Sequence, residues 1–259
     1  MQKAILIAVV VIAVVVMAWA LWPRGGEESP PEPEAIEAPP KPVPPAERLP
    51  THPTPEETAT PPPEVVLPPL QESDAFVRER LDPMDLPEPW IEQGDYVRRL
   101  AVLAENASRG ELPRRQLAFL APRGQFQVTE ENDRAYVDPV SYERYDGYIE
   151  QLETVDPERL AGLLDTLNPL VEGALAEIGV EAPPGEVFEA AVREVLEVPV
   201  LEGEIELVQP NVMYEYADPE LESLSPLKKQ VLRMGPENVR RLQTYLRRLA
   251  VEMELDVPS

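Results

Sequence analysis

The spacing of apolar and polar positions divides the chain into three stretches. Residues 4–22 are apolar without a single charge or proline, and about 20 such residues are what a helix needs to cross a bilayer. Residues 23–69 carry about half of the chain's 33 prolines and few large aliphatic side chains. Residues 70–255 place apolar side chains at helical spacing, with short alternating runs between them, which is typical of a folded domain.

The first stretch predicts a transmembrane helix over residues 4–22, preceded by a cytoplasmic tip of residues 1–3. Lys3 lies before the run and several glutamates follow it, a modest bias that favours a cytoplasmic N-terminus. A cleaved signal peptide is the alternative, because Ala18-Trp19-Ala20 matches a small-x-small cleavage site. The apolar run is longer than the usual signal-peptide core, and we therefore favour an uncleaved signal anchor.

The second stretch predicts a Pro-rich disordered spacer over residues 23–69. Its composition cannot bury enough apolar surface to fold, and its prolines favour extended polyproline II. At about 3.1 Å per residue, such a spacer would reach on the order of 140 Å. The chain's one histidine, His52, lies here, and we expect no catalytic role for it.

The third stretch predicts a mainly α domain with two small β-hairpins. Asp-Pro and Ser-Pro pairs indicate several helix starts, because Asp and Ser cap a helix and Pro suits its first position. Predicted helices cover 73–81, 90–107, 111–120, 138–152, 156–178 and 184–196, with short helices from 218 and 225 and a last helix from 235. The predicted hairpins pair 126–128 with 135–137, and 205–208 with 212–216.

Part of this pattern recurs at an offset of 79 residues. Gly124 corresponds to Gly203 and Pro157 to Pro236, and the apolar stripes of the following helices correspond as well. This predicts a tandem of two units, residues 92–170 and 171–249, each helix–helix–hairpin–helix–helix. Chance is the alternative for the stripes alone, since any two amphipathic helices align easily.

Residue types exclude several kinds of chemistry. The chain has no cysteine and one histidine, which excludes thiol catalysis and the usual His/Cys zinc sites and argues against His-based nucleophilic catalysis. We therefore predict no catalytic residue, metal or cofactor. A carboxylate-dependent hydrolase is the least favoured alternative, because 48 acidic residues make any carboxylate pair weak support. The net charge of −25 argues against a nucleic-acid partner.

Charge is unevenly distributed in the predicted domain. Acidic residues dominate positions 125–225, whereas basic residues gather near the C-terminus. The candidate partner-binding residues are Lys228, Lys229, Arg233, Arg240, Arg241, Arg247 and Arg248. One interpretation is a solvated face that pairs with the acidic middle of the same domain. The other is docking of an acidic partner or an anionic glycan, or self-association through faces of opposite charge.

Three tyrosines, Tyr142, Tyr145 and Tyr148, lie close together in the helix predicted from 138. Aromatic rings of this kind can stack on sugars, which raises the alternative of a cell-wall glycan-binding module. Their helical spacing beside Leu152 favours a position in the core instead.

Four segments, 114–122, 144–146, 214–219 and 232–239, carry a resemblance to a known family. The last of them reads Leu-Arg-Met-Gly-Pro-Glu-Asn-Val. Over roughly residues 67–250 the chain resembles the bacterial domain of unknown function numbered three thousand and fourteen. The resemblance implies a single-pass, Pro-rich-tethered protein of Gram-negative envelopes, and it implies no activity, cofactor or catalytic residue.

Together these features predict a single-pass protein of the bacterial inner membrane, with residues 70–255 forming a helical periplasmic domain. The preferred function is that of a non-enzymatic adaptor or scaffold that binds an envelope protein. The alternatives are a cell-wall glycan-binding module and, least favoured, a carboxylate-dependent hydrolase.

Overall fold

A computed structural model describes residues 65–81, 94–113, 117, 122 and 124–258. The predicted cytoplasmic tip, the predicted transmembrane helix over 4–22 and the predicted spacer up to residue 64 lie outside these residues. Of the helices that are described, none has both the length and the apolar character required to cross a bilayer.

The described part is mainly helical and contains one small antiparallel sheet. A short 3-10 turn, Leu70–Glu72, precedes the first helix. The helices are α1 (Ser73–Leu81), α2 (Tyr96–Ser108), α3 (Val140–Glu143), α4 (Asp146–Glu153), α5 (Pro157–Glu177), α6 (Pro184–Leu196), α7 (Pro219–Glu222), α8 (Pro226–Leu232) and α9 (Gly235–Glu252). The strands are β1 (Val128–Glu131), β2 (Arg134–Val137), β3 (Glu206–Val208) and β4 (Glu215–Tyr216).

Four helices, α2, α5, α6 and α9, form the centre of the domain. Helix α2 packs against α5 and α6, and α9 packs against the same two helices from its own apolar stripe. That stripe consists of Val239, Leu242, Leu246 and Leu249, all buried, as expected for positions spaced three and four apart on one helix face.

Two polar side chains join helices to one another. The carboxylate of Asp74 in α1 accepts hydrogen bonds from the backbone N–H groups of Asp95 and Tyr96, at 2.7 and 3.2 Å, where α2 begins. Gln243 is buried in α9, and its Nε2 lies 3.2, 3.3 and 2.8 Å from the carbonyl oxygens of Val195, Leu196 and Val198. It therefore contacts carbonyls at the end of α6, where intrahelical donors run out.

The two predicted hairpins are present, and they join into a single sheet of order β1-β2-β3-β4. All three pairings are antiparallel. The β2–β3 pairing places Ala135 opposite Leu207 and Tyr136 opposite Glu206. Sequence patterns indicate each hairpin by itself, but strand pairing between distant segments leaves no local signal, and the joining was not predicted.

The recurrence at an offset of 79 is visible in the backbone. Val128 lies opposite Val137 in the first hairpin, and Leu207 lies opposite Tyr216 in the second. Two backbone hydrogen bonds recur at the same offset: Asp138 N donates to Gln127 O at 3.1 Å, and Ala217 N donates to Glu206 O at 3.0 Å. We call residues 128–177, from β1 to α5, the first module, and residues 206–252, from β3 to α9, the second module.

The equivalence does not extend to the helices that precede the hairpins. At an offset of 79, α2 would correspond to residues 175–187, which run from the end of α5 into the start of α6. At this offset, the first part of the predicted unit 92–170 therefore does not correspond to the first part of the unit 171–249. Each module is instead a hairpin, two short helices and one long helix.

The single helix predicted from 138 to 152 is also wrong, because the chain forms α3 and α4 with a turn between them. The side chain of Arg144 donates from Nε to the carbonyl of Ser141 at 2.8 Å, and Tyr145 N bonds the Tyr142 carbonyl at 3.0 Å. These contacts close the first turn tightly and end α3.

The helix predicted over 111–120 is not found in the part of that segment that is described. Residues 111–113 are irregular and Leu117 lies in a turn. Gly110 has a positive φ of 69°, and its carbonyl accepts a hydrogen bond from Leu227 N at 2.9 Å. The chain at Gly110 is thus held against α8. The remaining positions of the prediction, and residues 90–93 of the helix predicted over 90–107, lie outside the described residues.

Candidate functional site

The seven candidate cations lie on α8, on α9 and at the junction between them. Ser225 caps α8, since its Oγ accepts a hydrogen bond from Lys228 N at 3.2 Å, and Pro226 occupies the first helical position. Helix α9 buries its apolar stripe and turns its arginines away from it. The two helices therefore present the cations to different neighbours.

Lys228 is directed toward the end of α6. Its Nζ lies 2.7 Å from Glu197 Oε2 and 3.4 Å from Glu194 Oε1, and 15% of the side chain is exposed. Burial opposes the charge on this lysine, but the hydrogen bond to Glu197 and the charge of Glu194 outweigh it and raise the pKa of Lys228. Lys228 thus connects α8 to α6.

Lys229 binds Glu222, which in turn binds the second hairpin. Its Nζ bonds the carbonyl oxygen of Glu222 at 2.9 Å and also contacts the Glu222 carboxylate. The other carboxylate oxygen of Glu222 accepts the N–H of Tyr216 in β4 at 2.9 Å. Arg233 lies over the Tyr216 ring, with its guanidinium carbon 6.0 Å from the ring centroid. The cations of this junction therefore stabilise the hairpin against α8.

Arg241 and Arg240 bind carboxylates across the start of α9. Arg241 makes a bidentate contact with Glu153 of α4, with Nε 3.0 Å from Oε1 and Nη2 2.5 Å from Oε2. This hydrogen-bonded pair raises the pKa of Arg241 and lowers that of Glu153. Arg240 pairs with Glu202 and, at 3.5 Å, with Glu237.

Four of the seven cations, Lys228, Lys229, Arg240 and Arg241, are therefore paired with carboxylates between positions 125 and 225. This is the geometry that pairing within the domain requires. Pairs of this kind at a protein surface contribute little energy individually, about 0–1 kcal/mol. Their role here is to hold short helices in position.

Arg247 and Arg248 differ from the other five. Neither forms an ion pair with any residue that the structure describes, and Arg248 is exposed. Val251 lies one turn further along the same face of α9 and is 74% exposed. We call Arg247, Arg248 and Val251 the α9 tip. It combines two unneutralised charges with an exposed apolar side chain.

A buried hydroxyl lies beside the α9 tip. The Tyr245 oxygen has no hydrogen-bond partner in the described part of the chain. Burial raises the pKa of Tyr245, and the charge of Arg248 acts against that shift. A hydroxyl without a partner in the described residues thus lies in α9 just before the tip.

The structure also brings three of the resembling segments together in a way that sequence patterns did not indicate. Asn238 donates from Nδ2 to Asp146 Oδ1 at 2.8 Å and to the Tyr142 carbonyl at 3.3 Å. Gly235 packs so closely against Tyr142 that an added Cβ would lie 2.4 Å from its ring. Arg233 lies over the ring of Tyr216, which connects segment 232–239 with segment 214–219. The contacts of Asn238 and Gly235 join the two modules.

Of the three tyrosines at helical spacing, Tyr145 is fully buried and Tyr142 is partly buried against α9. Burial raises the pKa of both hydroxyls. The ring of Tyr145 is therefore not accessible for stacking on a sugar. Within the described residues, no group of three or more His, Cys, Asp or Glu side chains is placed to hold a metal ion, and His52 lies outside them.

A family model described as "Protein of unknown function (DUF3014)" matches residues 96–250. The chain belongs to this family. The DUF3014 match begins at the first residue of α2 and ends within α9, so it includes the first module, all but the last two residues of the second, and the motif residues that join them. No curated protein and no solved structure matches the chain. Membership of the DUF3014 family assigns no activity to any residue.

Proposed function

We propose that this protein is a membrane-tethered adaptor of the Gram-negative envelope, and that its helical domain binds an acidic protein partner through the α9 tip. The tether is the apolar run over 4–22 followed by the Pro-rich spacer over 23–69. A spacer that reaches on the order of 140 Å suits a domain that must find a partner at a distance from the membrane.

The pairing of the cations is the reason for proposing the α9 tip as the binding surface. The chain has 48 acidic and 23 basic residues, so an arginine has many carboxylates available to it. Four candidate cations pair with such carboxylates, whereas Arg247 and Arg248 do not. The two arginines match the composition of binding hot spots, which are enriched in arginine, and Val251 adds exposed apolar surface beside them.

The two modules fit this function as a scaffold, and we infer that they arose as a tandem duplication. Repeated backbone hydrogen bonds at one offset support the inference more strongly than repeated apolar stripes, because chance does not reproduce strand register. A duplicated frame provides a rigid support for one specialised surface, since sites built on packed helices are held more firmly than sites on loops.

Crosslinking in intact cells tests the partner. A photo-crosslinking residue at position 251 should capture a distinct partner protein, and Arg247→Gln with Arg248→Gln should abolish the capture. The same residue at position 140, where Val140 is 46% exposed, serves as the control position. Arg134→Gln with Arg159→Gln removes two exposed arginines of the first module and should leave the capture unchanged. Equal capture at both positions would contradict the proposal.

Extraction and topology experiments test the tether separately. We expect the full chain to remain with the membrane after carbonate washing, and a C-terminal reporter to be active only outside the cytoplasm. Recovery of the protein in the soluble fraction would contradict the membrane anchor. Pull-down with purified murein tests the glycan-binding alternative, and retention that depends on Arg247 and Arg248 would favour it over a protein partner.

A further inference from the structure

The junction between the two modules uses the edge of one strand from each. Val137 N donates to Ile205 O at 3.0 Å, and Ala135 lies opposite Leu207. Val137 forms a non-hydrogen-bonded pair with Val128 of β1, and the N–H and C=O groups of such a pair point away from the strand they are paired with. The N–H of Val137 therefore points toward β3. The hydrogen bond between Asp138 N and Gln127 O sets this register.

The second module repeats this arrangement at the end of the sheet. Tyr216 in β4 corresponds to Val137 in β2, and its N–H likewise points away from β3. No strand lies beyond β4 in the described sheet. The Tyr216 N–H instead donates to a carboxylate oxygen of Glu222 at 2.9 Å. Glu222 thus occupies the position that the Ile205 carbonyl occupies at the module junction.

Lys229 holds Glu222 in this position by binding both its carboxylate and its backbone carbonyl. Burial opposes ionisation of the carboxyl, but the hydrogen bonds from Lys229 and from Tyr216 N–H outweigh it, and the pKa of Glu222 is lowered. The caps Asp138 and Asp218 correspond at an offset of 80, which places Tyr142 of the first module at the position of Glu222, and the next residue, Glu143, is exposed at the end of α3. The carboxylate that closes a strand edge is therefore specific to the second module.

At the other end of the sheet, β1 corresponds to β3. The backbone of Val128 points outward, as that of Leu207 points toward β2. The backbone groups on the outer edge of β1 are thus arranged like those by which β3 pairs with β2. The backbone groups on the outer edge of β4 are arranged like those by which β2 pairs with β3. The two ends of the sheet are complementary to each other, as in a heterologous, head-to-tail contact.

We propose that β4 is a docking edge for β1 of a second copy of this chain, and that Glu222 closes this edge in the isolated protein. The register of β2 and β3, carried forward, places Tyr214 opposite Val128 and Glu215 opposite Gln127 of the second copy. An aromatic residue opposite a β-branched one is a favourable cross-strand pair. Glu130 and Glu131 follow in β1, and acidic residues on an edge strand limit further pairing.

Sedimentation velocity of the full chain in detergent, over a range of protein concentrations, tests the proposal. Glu222→Ala should tighten self-association by at least about tenfold relative to the wild type, because it exposes the Tyr216 N–H. Glu222→Gln keeps an oxygen acceptor for that N–H and should resemble the wild type. Glu220→Ala removes an exposed acid from the same short helix and is the matched control.

A second substitution separates edge pairing from misfolding. Val128→Pro removes an outward N–H of β1 without removing a hydrogen bond of the β1–β2 ladder, as proline allows only at a strand edge. Added to Glu222→Ala, it should return self-association to the wild-type level. Self-association that Val128→Pro does not reduce, or a Glu222→Ala protein that associates no more than the wild type, would overturn the proposal.

Discussion

The two modules share one backbone frame but bury different chemistry at equivalent positions. Leu164 of α5 is buried among apolar side chains, and its equivalent Gln243 is buried in α9 with its amide directed at three carbonyls at and just after the end of α6. Ile149 of α4 is buried, and its equivalent Lys228 binds Glu194 of α6 and Glu197 just after it. The frame sets where a side chain points, and the neighbouring element sets whether it must be apolar or polar.

The junctions before the long helices differ in the same way. Asp156 caps α5, since its Oδ1 accepts a hydrogen bond from Glu158 N at 3.1 Å. Its equivalent, Gly235, begins α9 with a φ of 81° and packs against Tyr142 of the first module. One position is thus optimised for a helix start, and the other for contact between modules.

We expect the largest effect from Gly235→Ala. The new Cβ would lie 2.4 Å from Tyr142 Cγ in a left-handed backbone conformation, which should cost about 3–4 kcal/mol of unfolding free energy. Urea unfolding measures the loss. Gly162→Ala, on the exposed side of α5 with nothing within 4 Å of the new Cβ, should instead stabilise by about 0.5–1 kcal/mol. Equal stability of the two variants would contradict the contact.

Exchanging the buried pair should come next. Leu164→Gln buries an amide without partners and removes apolar contacts, for an expected loss of about 3 kcal/mol. Gln243→Leu leaves carbonyls near the end of α6 without their donor, for an expected loss of about 2 kcal/mol. Chemical denaturation measures both, and hydrogen exchange of the last turn of α6 should quicken in Gln243→Leu alone.

The helix caps should give smaller losses. Asp156→Ala removes the cap of a long core helix and should cost about 1 kcal/mol. Asp218→Ala removes the same kind of cap, a 2.8 Å hydrogen bond from Glu220 N, from the four-residue helix α7. It should cost only a few tenths of the loss expected for Asp156→Ala, because little packing depends on α7. Asparagine keeps the acceptor at each position and should restore most of the loss in thermal unfolding.

The surface pair Arg241–Glu153 should have the smallest effect, about 0.5 kcal/mol at neutral pH. Because the pKa of Glu153 is lowered from 4.5, its contribution is present above about pH 4.5 and is lost as the pH falls through the folded-state value. Glu153→Gln should therefore lower stability relative to the wild type at pH 7, and the difference should shrink as the pH falls below 4.5. A difference that does not shrink with falling pH, or that resists high salt, would contradict this assignment.

Local chemistry explains which parts of the fold were predictable. Ser73 and Leu81 bound α1 as predicted, and the Asp-Pro and Ser-Pro pairs at 156, 218 and 225 begin helices because the side chain satisfies an N–H and proline needs none. The joining of β2 to β3 and the break at Arg144 depend on contacts between distant residues or on one side-chain conformation, which no periodicity records.

The candidate site was predictable in part. Charge distribution indicated the cations of α8 and α9, but it could not distinguish Arg241, which binds Glu153 of α4 at the surface, from Arg248, which binds no carboxylate in the described residues. That distinction depends on the order in which helices pack. The edge closed by Glu222 was not predicted at all, because one glutamate among 48 acidic residues carries no signal of its own.

The contact of Asp74 with the start of α2 has a mechanical consequence. A pull on the chain ahead of residue 70 would load α1 first, and α1 transmits that load to α2 through two backbone hydrogen bonds to one carboxylate together with buried Val77 and Leu81. Under tension, α1 would peel away before the four central helices yield. Its detachment would lower the force that reaches the four central helices.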